Sequence, residues 1–383
     1  MKRYYLLEAT LVYLLLLHSP VDAAELDITL KNIVEAPRQI DYQGVLTTQT
    51  YTDQNEPIRN TQRIVHQKPD KNRMDRLESD TPGDLVVIQI DDDIYRRESE
   101  AGSTYYTHRR ISGESGLGLG LGFSSLDLLR TNYELIDRGR EMVLDRNAII
   151  LSLQPNHPGR ISKTAWVDEV TGLVLRTEDR DEYGNILEEM FFTEISVNPS
   201  VDEGLFATDE WTDRSVEENQ VIACGTLQEV EEVAGFPLAA PVYMPAGFTL
   251  DRLRVLLYAN QPTAHFTYTD GLAQISLYQR EAAPSDSAAM AWPGGTPHVQ
   301  DNVQVWNMGA LSHILRSSDD TRLFTVVSDI TEDESIDMIR SICVINPPDT
   351  NSHTSSADFL WFAGGGLMVG SLVLGGWFFR RRI

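Results

Sequence analysis

Trp166-Val167-Asp168-Glu169-Val170-Thr171-Gly172-Leu173-Val174-Leu175-Arg176, followed by Asp181-Glu182-Tyr183-Gly184-Asn185, is the stretch whose reading decides the fold. Its apolar-rich runs are broken by Thr171-Gly172 and Gly184-Asn185, small or φ-permissive pairs that suit tight turns. The spacing predicts three antiparallel strands carrying Trp166, Leu173, Leu175, Ile186, Met190 and Phe192. Upstream, Asp41 to Leu46 opens a strand, and alternating runs recur at 62–67, 85–90, 94–97, 133–143 and 148–153. Turns are expected at Pro82-Gly83, Asp91-Asp92-Asp93 and 156–159. The aspartate triplet lacks the spaced ligands of a calcium loop and reads as a solvated hairpin turn. Leu26 to Val34 has helical spacing, with Pro37 expected to end that helix.

Downstream, acidic and polar residues from Asn198 to Gln220 mark a linker or the last wrap of a first domain. A second domain begins near Val221, with Met244-Pro245-Ala246-Gly247-Phe248, strands at 253–258, 264–269 and 272–278, and a turn at Asp270-Gly271. A Pro-, Gly- and Ser-rich loop spans 282–302, and strands follow at 303–308, 312–316 and 323–328. Thr331 and Glu334 have capping-box spacing ahead of a last helix with Ile336, Ile339 and Ile342. The length of 383 residues accommodates two such domains plus accessory termini.

Both termini read as targeting segments. Residues 1–23 place Lys2 and Arg3 before an apolar run from Leu11 to Leu17 and then Val21-Asp22-Ala23, the layout of a cleavable export signal; an uncleaved anchor is the alternative. Phe359 to Phe379 is uncharged and long enough to cross ~30 Å of hydrocarbon. Trp361 and Trp377 stand near its ends, and Arg380, Arg381 and Arg382 follow at once, which orients the basic tail 380–383 inward and the body outward. Gly364-Gly365-Gly366 leaves open a sorting tail that a protease removes. A polar stalk, 346–358, joins the span to the second domain.

The formal net charge of −25 disfavours nucleic acid and anionic headgroups as general partners. The two cysteines, Cys224 and Cys343, are a disulfide candidate in an oxidising compartment, with two reduced buried thiols as the alternative. Gly116-Leu117-Gly118-Leu119-Gly120-Leu121-Gly122 lacks the spacing of a phosphate loop. With Phe123 and a short helix through Leu126, Leu128 and Leu129, it reads as an apolar ligand-binding flap or as a strand with leucines facing the core. Metal-protease, CxxC, Walker and GxSxG motifs are absent, and the histidines are scattered without metal-like spacing. The chain reads as a binding protein rather than an enzyme, with no cofactor or metal expected.

The Trp166–Gly184 run resembles the W-x-D-x-x-T-G-L-P-x-R … D-x-x-G ladder of the LolA, LolB and RseB group, with Val174 where that pattern has proline. Adding the Tyr42–Leu46 strand, the Met244–Phe248 element, Tyr268-Thr269-Asp270-Gly271-Leu272 and the strand-to-helix end at 326–342, the chain resembles the RseB/MucB family over about residues 25–345. The resemblance implies an α+β fold: a LolA-like curved antiparallel half-barrel wrapped around helices (24–215), then a smaller antiparallel sheet domain with a closing helix (221–345). It implies a periplasmic regulator of envelope stress signalling that binds the periplasmic domain of an RseA-like anti-sigma factor and responds to lipid or lipoprotein acyl chains. The alternative is a lipoprotein or lipid carrier at the inner membrane. Family members are soluble, whereas residues 359–379 predict a single-pass protein of the inner membrane with its ectodomain in the periplasm.

Overall fold

The structure is a computed structural model and describes residues 23–51, 57–79, 83–100, 103–111, 125–212, 218–258, 261–282, 297–307, 313–318 and 321–344. The first half opens with helix α1 (Ala23–Gln39). Six strands follow, β1 (Tyr42–Thr50), β2 (Ile58–Gln67), β3 (Lys71–Ser79), β4 (Asp84–Ile90), β5 (Asp93–Glu100) and β6 (Ser103–Ile111). Helix α2 (Leu126–Asn132) leads into β7 (Tyr133–Val143), β8 (Arg146–Pro155), β9 (Ser162–Asp168), β10 (Val174–Arg180) and β11 (Ile186–Val197). Two meanders meet at β1, which pairs antiparallel with both β2 and β11.

The ladder turns form for local reasons. Asp168 accepts from the Val170 amide at 3.1 Å and the Thr171 hydroxyl at 2.7 Å, and Gly172 then takes φ +75°. Asp181 likewise accepts from the amides of Tyr183 and Asn185 ahead of β11, with Gly184 at φ +86°. Carboxylates that bond their own downstream backbone pre-form such turns. Trp166 stays on β9, its indole donating to Glu141 at 2.7 Å beneath the Arg176 guanidinium. Leu173 lies just before β10 rather than within it.

Three departures from the sequence reading have physical causes. Helix α1 runs through Pro37 to Gln39; Ile33 and Ala36 are buried against the sheet, and that packing holds the last turn despite the missing amide. Strands β3 and β6 escape a hydrophobic-period reading because charged and polar residues fill them.

The second half comprises β12 (Glu218–Cys224), helix α3 (Leu227–Ala234), β13 (Ala239–Pro241), β14 (Thr249–Tyr258), β15 (Gln261–Thr269) and β16 (Gln274–Glu281). It continues with β17 (His298–Gln300), β18 (Val303–Asn307), β19 (His313–Ser318), β20 (Arg322–Ser328), helix α4 (Glu332–Arg340) and β21 (Ile342–Val344). Its sheet runs β12-β14-β15-β16-β20-β19-β18-β17, with β13 and β21 forming a separate ribbon. One face buries Phe266, Ile275, Leu277 and Val326 against Val230 of α3 and Ile336 and Ile339 of α4. Helix α3, which the sequence reading passes over, carries a complete set of end signals: the Thr226 hydroxyl accepts from the Glu229 amide, the Glu229 carboxylate accepts from Gly225, and Gly235 closes the C-terminus at φ +80°.

The two halves share one sheet. Strand β12 pairs in parallel with β6, from Glu218 opposite His108 to Val221 opposite Ile111. The architecture is therefore mostly antiparallel sheet with few helices, open rather than closed, with β7 and β17 at its edges. Residues 198–212 do not dangle between domains. Phe206, Leu205 and Trp211 pack on Val65, Val86, Ile88 and Tyr95, Arg73 donates to the Leu205 carbonyl, and Lys71 pairs with Glu203 at 2.8 Å.

Candidate binding face and domain junction

The apolar residues expected to take a ligand divide at residue 125. Leu117, Leu119, Leu121 and Phe123 lie outside the described residues. Leu126 and Leu129 lie on α2, which Ser125 caps by accepting from the Leu128 amide. Leu129 is only 1% exposed, in a core with Leu30 and Ile33 of α1, Tyr133, Leu151 and Leu272, and Leu126 packs against the same cluster. The Leu129 surface is thus covered, in part by the second domain.

The anchor residues Phe359, Trp361, Trp377, Phe379, Arg380, Arg381 and Arg382 and all but the last residue of the leader 1–23 also lie outside the described residues. Among the described residues no helix is long and apolar enough to cross a membrane. The expected disulfide is corrected: Cys224 and Cys343 are both free thiols. Cys224 ends β12 in the large sheet, with its thiol turned to the Ile222 carbonyl, whereas exposed Cys343 belongs to the β13–β21 ribbon. Burial, then the nearby Glu229 carboxylate, pushes the Cys224 thiol above its ordinary pKa.

A cavity of about 300 Å³ opens between α1 and the β9–β10 turn, where Asn32, Glu35 and Gln39 face Glu169–Gly172. Gly172 fits because a Cβ there would stand 3.1 Å from the Asn32 carbonyl oxygen. Asp168 at its floor is 1% exposed and neutralised by Arg146, whose Nε lies 2.6 Å from Oδ2. The walls offer hydrogen bonds and carboxylates, groups that suit recognition of a polar ligand. On the inner sheet, Lys163 pairs with Asp179 at 2.6 Å and Thr50 donates to Glu188. Burial, then the Asp179 charge, raises the Glu188 pKa.

The densest polar cluster lies where the domains meet. Arg160, on the loop before β9, is 1% exposed and donates to both carboxylate oxygens of Glu334 on α4, with Nη2 at 3.0 Å from Oε1 and Nη1 to Oε2. Its Nη2 also donates to the Ala246 carbonyl, and its guanidinium stands 5.2 Å from the Phe248 ring centroid. Asp270 is 1% exposed, 3.8 Å from Arg160, and accepts from the Tyr133 hydroxyl at 2.8 Å and the amides of Leu272 and Ala273. Burial raises the pKa of Asp270 and, with the facing carboxylate, that of Tyr133, which keeps the phenol protonated as the donor. Asn132 donates to the carbonyls of Gly247 and Asp270.

Glycines let these backbones touch. A Cβ on Gly271 would lie 2.5 Å from the Leu129 nitrogen, and one on Gly247 would lie 2.7 Å from the Asn132 Oδ1. Both motif elements that distinguish the second domain in sequence, Met244–Phe248 and Tyr268–Leu272, thus serve as the surface that docks on the first. Their spacing reveals the elements. Their task emerges only when Arg160 and Glu334 come together.

Comparison with known proteins agrees with this architecture. Residues 26–211 match the MucB/RseB N-terminal domain family. The sigma-E factor regulatory protein RseB of Haemophilus influenzae is 22% identical over 181 residues, 47% of this chain and 54% of that protein. RseB of Escherichia coli K12 is 24% identical over 200 residues, 49% of this chain and 58% of that protein. The chain thus spans about half the length of the curated relatives it matches. The Pseudomonas aeruginosa MucA/MucB complex contains a chain that superposes with a TM-score of 0.56 at 18% identity, covering 84% of this chain and all of that one. That likeness extends the shared fold across both domains.

Proposed function

We propose that this chain, whose residues 26–211 match the MucB/RseB N-terminal domain family and whose relatives include RseB proteins, is a regulator of envelope stress signalling that binds the periplasmic part of an anti-sigma factor. The observation that carries this reading is the two-domain fold, matched over 84% of the chain to a protein solved with MucA. The polar cavity beside α1 fits a binding role. In this reading residues 1–23 export the chain, 359–379 hold it in the inner membrane, and the ectodomain faces the periplasm. Tethering both proteins in one membrane raises their effective concentration, so a modest intrinsic affinity suffices. Acyl chains of lipid or lipoprotein, taken up with the help of Leu117, Leu119, Leu121 and Phe123, loosen the complex.

The test is a pull-down from detergent-solubilised membranes, followed by titration with the periplasmic peptide of the recovered anti-sigma factor. Saturable binding that an acyl ligand weakens is the expected result. Linkage then requires the peptide to weaken acyl binding by the same factor. Recovery of lipoprotein-transport components without an anti-sigma factor overturns the reading in favour of a carrier.

A further inference from the structure

Glu334 sits where two hydrogen-bonding arrangements compete. The Thr-x-x-Glu capping spacing stands at the starts of both α3 and α4. At α3 the glutamate turns back on its own helix start, with Thr226 accepting from the Glu229 amide at 3.1 Å and the Glu229 carboxylate accepting from the amide of Gly225, one residue before the cap. At α4 it is diverted: Thr331 occupies the N-cap position without a side-chain cap bond, and its hydroxyl instead donates to Glu334 Oε2 at 3.2 Å. The difference is Arg160, which takes both oxygens of Glu334.

The solvent exposure of the cluster is uneven. Arg160 and Asp270 side chains are each 1% exposed, whereas that of Glu334 is 26% exposed, so water reaches only the α4 side of the ion pair. Gly159 also bears on the choice, because a Cβ at that position would lie 2.7 Å from the Thr331 Cγ2. The close loop thereby bears on the Thr331 side chain while the domains are docked. A buried guanidinium without its carboxylate is far less favourable than an uncapped helix, so the docked arrangement dominates in the free protein.

We propose that Glu334 is the movable arm of an interdomain latch: bound to Arg160 it fixes domain two on domain one, and released it swings back to complete the α4 capping box with Thr331. The Tyr133–Asp270 and Asn132 bonds act as the pivot about which the junction loosens. Resting on the proposed function, this makes the latch the step that a partner spanning both domains senses.

The experiment uses the full chain with Cys224→Ser and Cys343→Ser, spin-labelled through Val170→Cys and Val299→Cys, positions that are 86% and 66% exposed on opposite domains. Pulsed electron spin resonance then reads the interdomain distance with no partner present. One narrow distribution is expected for the parent and for Thr331→Val, and a broadened or second population for Glu334→Gln and Arg160→Met. Glu334→Gln is the decisive variant, since it is nearly isosteric, partly exposed and still able to cap. A parent-like distribution for it overturns the latch, and so does broadening by Thr331→Val. Titration with the anti-sigma peptide separates the latch from its use: about tenfold altered affinity in Glu334→Gln supports the regulatory link, and changed distances with unchanged affinity overturn it.

Discussion

Gly271→Ala isolates how tightly the second domain is seated on α2. Gly271 has φ +110°, and a Cβ built there meets the Leu129 nitrogen at 2.5 Å, the Leu129 Cα at 2.8 Å and the Leu128 carbonyl carbon at 2.9 Å. All three are backbone atoms of a helix whose Leu129 is buried, so none can rotate aside. Two costs combine. The positive φ costs an alanine ~1–2 kcal/mol, and forcing apart a packed contact adds ~1–3 kcal/mol, for a total of ~2–5 kcal/mol. Gly184→Ala is the control, because Gly184 also has positive φ, at +86°, but a Cβ there finds nothing within 4 Å. It should cost only the backbone share. The assay is urea unfolding followed by tryptophan fluorescence, comparing free energies from midpoint and slope. Equal losses in the two variants, within ~0.5 kcal/mol, would show that α2 and the Asp270–Leu272 turn yield to each other and refute the tight seating.

Removing Arg146 with Arg146→Met should destabilise the protein by ~3 kcal/mol, since Asp168 keeps only the Val170 amide and Thr171 hydroxyl as partners; adding Asp168→Asn should recover part of the loss in a double-mutant cycle. His265 is buried, stacked at 4.2 Å on Tyr278, and burial, reinforced by Arg254 and Arg252, holds its pKa well below the ordinary value. Above ~6.5 neither folded nor unfolded chain protonates it; as pH falls below that value the unfolded state takes a proton that the native state refuses. Its stabilising contribution is therefore lost on acidification, and His265→Leu should flatten the fall in urea midpoint between about pH 7 and pH 5. Thiol titration without reductant should find two free thiols in the folded chain, Cys343 reacting faster than the more buried Cys224; a nonreduced mass showing a Cys224–Cys343 bridge would contradict the structure.

The part of the fold legible in sequence is the part fixed by local chemistry. Asp168-x-x-Thr171-Gly172 and Asp181-x-x-Gly184 announce their turns because carboxylate and glycine act within four residues of each other. Strand β6 hides because Ser103–Ile111 gives no apolar alternation, its place being set by pairing with β5 and β12. The junction hides for another reason. Asp270 reads as a turn residue and Glu334 as a helix cap, nothing local marks Arg160, and only the fold removes water from Arg160 and Asp270. The Thr331–Glu334 spacing shows the limit most clearly: the motif is present, yet a buried cation from the other domain claims the glutamate that local rules assign to the helix.

The parallel pairing of β6 with β12 also sets an order of events during synthesis. Until residues 218–221 emerge, β6 is the exposed margin of the first sheet, with unfilled backbone donors and acceptors open to any extended chain. The parallel mate it accepts lies beyond the strap formed by residues 198–212, which packs across β2–β5. A second copy can supply the same mate when the strap is slow. Refolding at high concentration is then the condition under which exchanged dimers of this chain form.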